Sequence, residues 1–165
     1  MNSRLEKDAF WYRYIYPKNL TLFDQIKIVA PEISLGGNFT IDLKGQYYST
    51  TKVYGYVKKD GLPVSYEFLL GLLNSNLFWF FIQKTGYVLR GGYYTFKTNY
   101  VSPFPFPDYS TLPKDVVSTI ENYVKEILRS TLVGGDSRLI QVEIDKLICN
   151  LYGVDYDTIC LASSN

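Results

Sequence analysis

At 165 residues, 47% hydrophobic and 20% charged, the chain has the size and apolar content of one compact domain, not of a disordered tail. It contains no histidine, which removes the commonest neutral-pH general base, the commonest zinc ligand and every Ser-His or Cys-His nucleophile, and its two cysteines cannot complete a metal site alone. The net charge of +1 conceals a split: residues 1–110 carry twelve Lys and Arg against eight Asp and Glu, residues 111–165 five against eight, a bias compatible with a phosphate-facing first part but far short of a strongly basic nucleic-acid binder.

The chain does not open on a basic stretch followed by an apolar run, so no secretory signal is expected, and Cys149 and Cys160 read as reduced, buried thiols of a cytoplasmic protein. From Phe10 to Phe23, Trp11, Tyr12, Tyr14 and Tyr16 precede Pro17, which disfavours a helix and favours an extended aromatic segment. Ile26, Ile28 and Ala30 alternate with Lys27 and Val29, and Phe39, Ile41 and Leu43 alternate with Thr40, Asp42 and Lys44. A period of two predicts strands, here separated by a turn at Gly36-Gly37-Asn38. A further β-rich run from Tyr47 to Val57 ends in the charged turn Lys58-Lys59-Asp60-Gly61.

Ser65 is the expected N-cap of a helix that carries Phe68, Leu69, Leu72, Leu73, Leu77, Phe78, Phe80, Phe81 and Ile82, leaving a thin polar stripe of Glu67, Gly71, Asn74 and Ser75. That pattern predicts one helix buried on nearly all sides and ended by Gly86; it is too short and too polar at Asn74-Ser75-Asn76 for a membrane span. Tyr87 to Phe96 returns to β composition around Gly91-Gly92. Pro103, Pro105 and Pro107 at alternate positions make Val101 to Asp108 an extended connector and an internal boundary. Beyond it, Val117, Ile120, Val124 and Ile127 predict a helix ending at Gly134-Gly135, and Ile140, Ile144, Leu147 and Leu151 a second one, capped by Asp136 and stopped by Gly153. The expected fold class is mixed α/β of the α+β type. A twisted, mainly antiparallel sheet with a buried helix fills residues 1–108, and a C-terminal helical hairpin over residues 109–165 braces it.

The order of several blocks is specific. Trp11 to Leu20 precedes Lys27-Ile28-Val29-Ala30-Pro31-Glu32-Ile33-Ser34, and Leu69-Leu70-Gly71-Leu72-Leu73-Asn74-Ser75 runs into Phe78-Trp79-Phe80. Leu89-Arg90-Gly91-Gly92-Tyr93-Tyr94, the proline connector and Ile144-Asp145-Lys146-Leu147-Ile148-Cys149-Asn150-Leu151-Tyr152-Gly153 follow. From about Trp11 to Tyr156 this succession resembles the C-terminal specificity domain of the N6-adenine DNA methyltransferases of type II restriction-modification enzymes, including single-chain forms that also carry an endonuclease. The resemblance implies a domain that grips double-stranded DNA, reads base edges and helps present an adenine, which an N-terminal methyltransferase domain flips out and methylates from S-adenosylmethionine. The sequence has no Asn-Pro-Pro-Tyr methylation motif, no Gly-rich cofactor loop after a first strand and no spaced Asp, Glu and Lys set of a nuclease. No catalysis and no cofactor are therefore expected in this chain itself.

Arg90, beside the Gly-Gly pair, is a candidate for the bidentate reading of guanine, or else a solvated residue at a tight turn. Tyr93 and Tyr94 point to opposite faces if they lie on a strand, so at most one of them would meet DNA while the other packs. On the same segment Lys97 suits a phosphate and Asn99 an adenine edge, against the readings of a surface lysine and a turn residue. Lys44, Lys52, Lys58 and Lys59 cluster around one expected hairpin as a phosphate-positioning set, although hairpin tips are also charged merely to stay solvated. The Trp11 to Tyr16 aromatics fit a stacking platform, the core, or an interface with the catalytic half. A reading of a different class is a protein-docking module whose Tyr-rich face contacts no DNA; sixteen tyrosines supply flat amphipathic surface for either role.

Overall fold

The computed structural model describes residues 20–48 and 51–163. In chain order the strands are β1 (Lys27–Pro31), β2 (Ile33–Ser34), β3 (Thr40–Asp42), β4 (Val53–Tyr56) and β5 (Tyr94–Thr95). The helices are α1 (Tyr66–Leu73), α2 (Asn76–Thr85), α3 (Thr98–Val101), α4 (Lys114–Leu132), α5 (Arg138–Leu151) and α6 (Tyr156–Ser163). The architecture is mixed α/β with small antiparallel sheets and a C-terminal helical region, as the sequence patterns imply. The expected aromatic segment lies outside the described residues as far as Asn19. Its described end, Leu20–Leu22, is a 3-10 turn instead of extended chain, closed by the Gln25 N–H donating to the Leu22 carbonyl.

β1 is the central strand of a three-stranded sheet ordered β3-β1-β4, antiparallel to both neighbours, with Ile28 opposite Ile41 on one side and Tyr56 on the other. Its alternation drives Ile28 and Ala30 into the core. Lys27, on the other face, is also buried: its ammonium donates at 2.6 Å to the Asp42 carboxylate and at 2.6 Å to the Phe23 carbonyl. Burial works against a charged Asp42, but Lys27 and the Tyr47 and Gln46 backbone N–H groups outweigh it and hold the carboxyl well below the usual range. The Tyr47 N–H is thereby lost to any ladder, and of the β-rich run expected from Tyr47 to Val57 the described residues are strand only in β4.

The single buried helix expected from Ser65 to Gly86 is two helices. Ser65 caps α1 by accepting from the Phe68 N–H, as its position implies. The chain then breaks at Asn74-Ser75. The Asn74 carboxamide takes the Phe39 N–H at 3.0 Å and donates to the Phe39 carbonyl at 2.9 Å, and Ser75 caps α2 through the Phe78 N–H. What read as a polar stripe is a helix break fixed to the loop before β3. The Asp145 carboxylate of α5 receives the Asn76 N–H at 2.9 Å, at the N-terminus of α2, where the helix dipole favours an anion.

Phe78 is fully buried between Phe39 and Phe104, whose rings meet it edge-on at 5.8 and 5.0 Å. The connector carries Phe104 into this cluster, and the Tyr152 hydroxyl donates to the Pro105 carbonyl at 2.9 Å. α1 lies against α4 at Gly71, where a Cβ would stand 3.1 Å from both Ile120 and Val124 methyls. One core therefore runs from Ile28 through Ile159, across the internal boundary expected at residue 108. The helical hairpin consists of α4 and α5, with Ser137 in place of Asp136 at the cap position and Gly134 and Gly153 at positive φ after the two ends. α6 follows, a helix the apolar pattern did not predict. Asp155 starts it by accepting from the Thr158 N–H at 2.8 Å. Cys149 is buried and Cys160 half-buried; neither is in a disulfide, and the Cys160 sulfur accepts from the Asn76 carboxamide at 3.4 Å.

Candidate nucleic-acid interface

β1 and β2 are one continuous stretch of chain that changes sheets at Glu32. The Glu32 N–H donates to the Lys52 carbonyl at 2.8 Å, beside β4, and the Glu32 carbonyl accepts from the Phe96 N–H at 2.8 Å, beside β5. β2 then pairs with β5, Ile33 opposite Thr95 and Ser34 opposite Tyr94. The Glu32 side chain is 14% exposed and faces two lysine ammoniums, Lys52 at 3.3 Å and Lys97 at 3.7 Å, which are 76% and 54% exposed. Lys52 and Lys97, far apart in sequence, thus flank one carboxylate where the two small sheets join. Glu32 itself was not singled out in the sequence, because nothing local signals a partner twenty or more residues away.

From this junction β5 leads back into a tight hairpin. The Leu89 N–H donates to the Tyr93 carbonyl at 2.6 Å and the Gly92 N–H to the Leu89 carbonyl at 3.2 Å, which leaves Arg90 at the tip. Gly91 and Gly92 take φ of 85° and 80°, a region costly for residues with a Cβ, so the Gly-Gly pair makes the turn. Arg90 is exposed and forms no ion pair or hydrogen bond among the described residues. Tyr93 is exposed, whereas Tyr94 is half-buried with its ring 5.2 Å from that of Trp79, edge-on. The pair separates into an outward and a packing tyrosine. Asn99 is exposed but sits on α3, not on a strand continuing from Tyr93, because the chain turns helical directly after Lys97.

Lys44, Lys52, Lys58 and Lys59 do not surround one hairpin. β3 and β4 lie on opposite sides of β1, so the expected hairpin between them does not form. With Lys27 opposite Asp42 and Ile28 opposite Tyr56, Lys44 and the Lys58-Lys59 pair follow strand ends at the Lys27 end of the sheet, while Lys52 adjoins Val53 at the Pro31 end. Four rises of roughly 3.3 Å separate those ends by about 13 Å. Lys44 and Lys59 are exposed; the Lys58 ammonium is committed to the Val64 carbonyl at 2.7 Å and lies over the Tyr66 ring.

A mainly apolar cleft of about 660 Å³ opens between β4, α1, α3 and the connector, with Tyr56, Leu69, Val101 and Phe106 among its walls. Among the described residues no group of three Cys, Asp or Glu is placed to hold a metal, and no helix is long and apolar enough to cross a membrane. The geometry provides instead an arginine at a hydrogen-bonded hairpin tip, a paired lysine junction and exposed tyrosines on a small-sheet scaffold. Residues 2–106 match the model of the TaqI-like C-terminal specificity domain, from the N-terminal segment to the middle of the proline connector. That match takes in both small sheets, the Arg90 hairpin and α1 to α3, and with it the chain belongs to the TaqI-like C-terminal specificity domains, which serve DNA-sequence specificity in restriction-modification methyltransferases.

Proposed function

We propose that this chain is the double-stranded DNA reader of an S-adenosylmethionine-dependent adenine methyltransferase, acting in the cytoplasm beside an N-terminal catalytic domain. The observation that carries the reading is Arg90: a fully available guanidinium on a turn whose backbone is held by one cross-strand hydrogen bond, one bond within the turn and two glycines. Such a tip enters a groove without first being ordered, and arginine reads guanine O6 and N7 bidentately. Tyr93 lies beside it against the duplex, supported from behind by Tyr94 on Trp79. Lys97 and Lys52 hold phosphates on either side of Glu32, and Asn99 offers an amide to a base edge. Lys44 and Lys59 add phosphate contacts at the far end of the sheet; Lys58 contributes through its position in the turn, since its own charge is already solvated by Val64. Residues 1–108 form the reading part and residues 109–165 the brace. S-adenosylmethionine binding and methyl transfer, and any nuclease in the parent, belong to other parts of that protein.

The test is selection of sites from a random duplex pool by the purified chain at low salt, with Arg90→Ala and Lys97→Ala in parallel. Enrichment of one short motif, degraded by Arg90→Ala, is the expected result. Indifference to duplex DNA at low salt refutes it and favours the second reading, a docking module. That reading draws on the exposure of Tyr87 and Tyr93 on the same hairpin.

A further inference from the structure

We propose that the loop Leu43 to Tyr48 is a second base-reading element of this domain, with Gln46 as a specificity-determining residue for adenine. The inference rests on the duplex-reading function proposed above. The loop is built around one carboxylate: Asp42 accepts the backbone N–H groups of Lys44 at 3.3 Å, Gln46 at 3.1 Å and Tyr47 at 2.9 Å, while Lys27 neutralises it from beneath at 2.6 Å. Gly45 pins the loop from the other side. It stands at φ 62°, and a Cβ there would lie 2.2 Å from the Asp24 carbonyl oxygen, so only glycine admits this approach. Tyr48 closes the structure, its hydroxyl donating to the Asp24 carboxylate and its ring 5.3 Å from that of Phe23.

The consequence is a loop with a fixed backbone and outward side chains. Tyr47 and Tyr48 are 69% and 67% exposed, and Lys44 and Gln46 are exposed beside them. A buried ion pair holding an irregular loop costs desolvation that a plain hairpin would avoid, so its use here is explained by what the loop displays. The display suits DNA: a cation for phosphate, a large flat ring for a sugar or base face, and a carboxamide that pairs bidentately with adenine N6 and N7. Its place suits DNA as well. The loop is at the Lys27 end of the sheet, about 13 Å along β1 from the Glu32 junction, a separation close to the roughly 12 Å width of a major groove. The Arg90 hairpin lies beyond that junction, on the β5 side of β2, so loop and hairpin are separate elements of the domain, each offering its own contact to a duplex.

The experiment is site selection with the full chain, comparing wild type, Arg90→Ala and Gln46→Ala. The Gln46 side chain is exposed and only its backbone holds the loop, so the variant folds, which circular dichroism checks. Gln46→Ala is expected to keep the motif except at one adenine, where discrimination falls by about 5- to 150-fold. Placing 7-deazaadenine at that position should weaken wild type by a similar factor and leave Gln46→Ala unchanged. An unaltered motif in Gln46→Ala, with Arg90→Ala degraded, overturns the loop proposal alone and leaves the duplex-reading function standing. A wild-type chain that enriches no motif overturns both.

Discussion

Replacing Asp145 with Asn should raise the protein's stability relative to wild type progressively as pH rises from 4 to 7. Asp145 is 3% exposed in α5, and burial raises its pKa from 3.8 to about 6 despite the hydrogen bonds it accepts from the Asn76 N–H and the Gln141 side chain. A folded-state pKa above the unfolded one means that the native state binds the proton more tightly. The penalty for ionisation is absent below about pH 4, grows between 4 and 6 and is complete above. A shift of roughly two units corresponds to about 3 kcal/mol. Asn keeps the acceptor for the Asn76 N–H and cannot ionise, so the stability difference between variant and wild type should widen by about 3 kcal/mol across that window. Any constant offset from the new amide N–H₂ cancels in this difference. The nearby groups do not confuse the reading: burial pushes the Cys149 thiol up to about 11, and Tyr156, half-buried and hydrogen-bonded to Cys160, is also pushed up, so both stay neutral. Chemical denaturation of both proteins at pH 4, 5, 6 and 7 measures the effect. A difference that is flat with pH would refute the reasoning. Asp145→Ala, which orphans the Asn76 N–H, should be about 1–3 kcal/mol less stable than Asp145→Asn at pH 7.

Phe78→Ala should destabilise the fold by about 3–5 kcal/mol, because it empties the centre of the ring cluster that ties the sheet loop, α2 and the connector together; urea unfolding reads this. Gly37→Ala should cost about 1–3 kcal/mol, since its Cβ would lie 2.8 Å from the Leu73 carbonyl oxygen and push the loop away from the helix break; thermal melting compared with wild type checks it. Lys97→Ala should weaken duplex binding uniformly across sequences and lower the slope of log K against log salt by about 0.9, measured by fluorescence anisotropy from 50 to 200 mM salt. An unchanged slope would remove Lys97 from the phosphate contacts.

Much of this domain follows from the sequence alone, wherever the determinants are local. Period-two runs fix β1 and β3, the Ser65 cap and the apolar three-four spacing fix α1, α4 and α5, and Gly91-Gly92 fixes the turn that carries Arg90. The block order fixes the family. What the sequence leaves open is set by groups that meet only when the chain is folded. Asn74 reads as one more polar position on a helix until its carboxamide meets Phe39, 35 residues away. Asp145 carries no signal in its own helix that it receives the Asn76 N–H at the start of α2, 69 residues away. Lys27 reads as the outward member of an alternating strand, yet it is buried, with Asp42 and the Phe23 carbonyl accepting from it inside the fold. The same holds for the site: Lys52 and Lys97 become neighbours through Glu32, and Lys44 parts from Lys52 because β1 inserts between β3 and β4. Local propensity and periodicity act over one or two turns of chain, whereas a buried polar group must find its partner wherever the topology supplies one, and only the tertiary structure decides where that is.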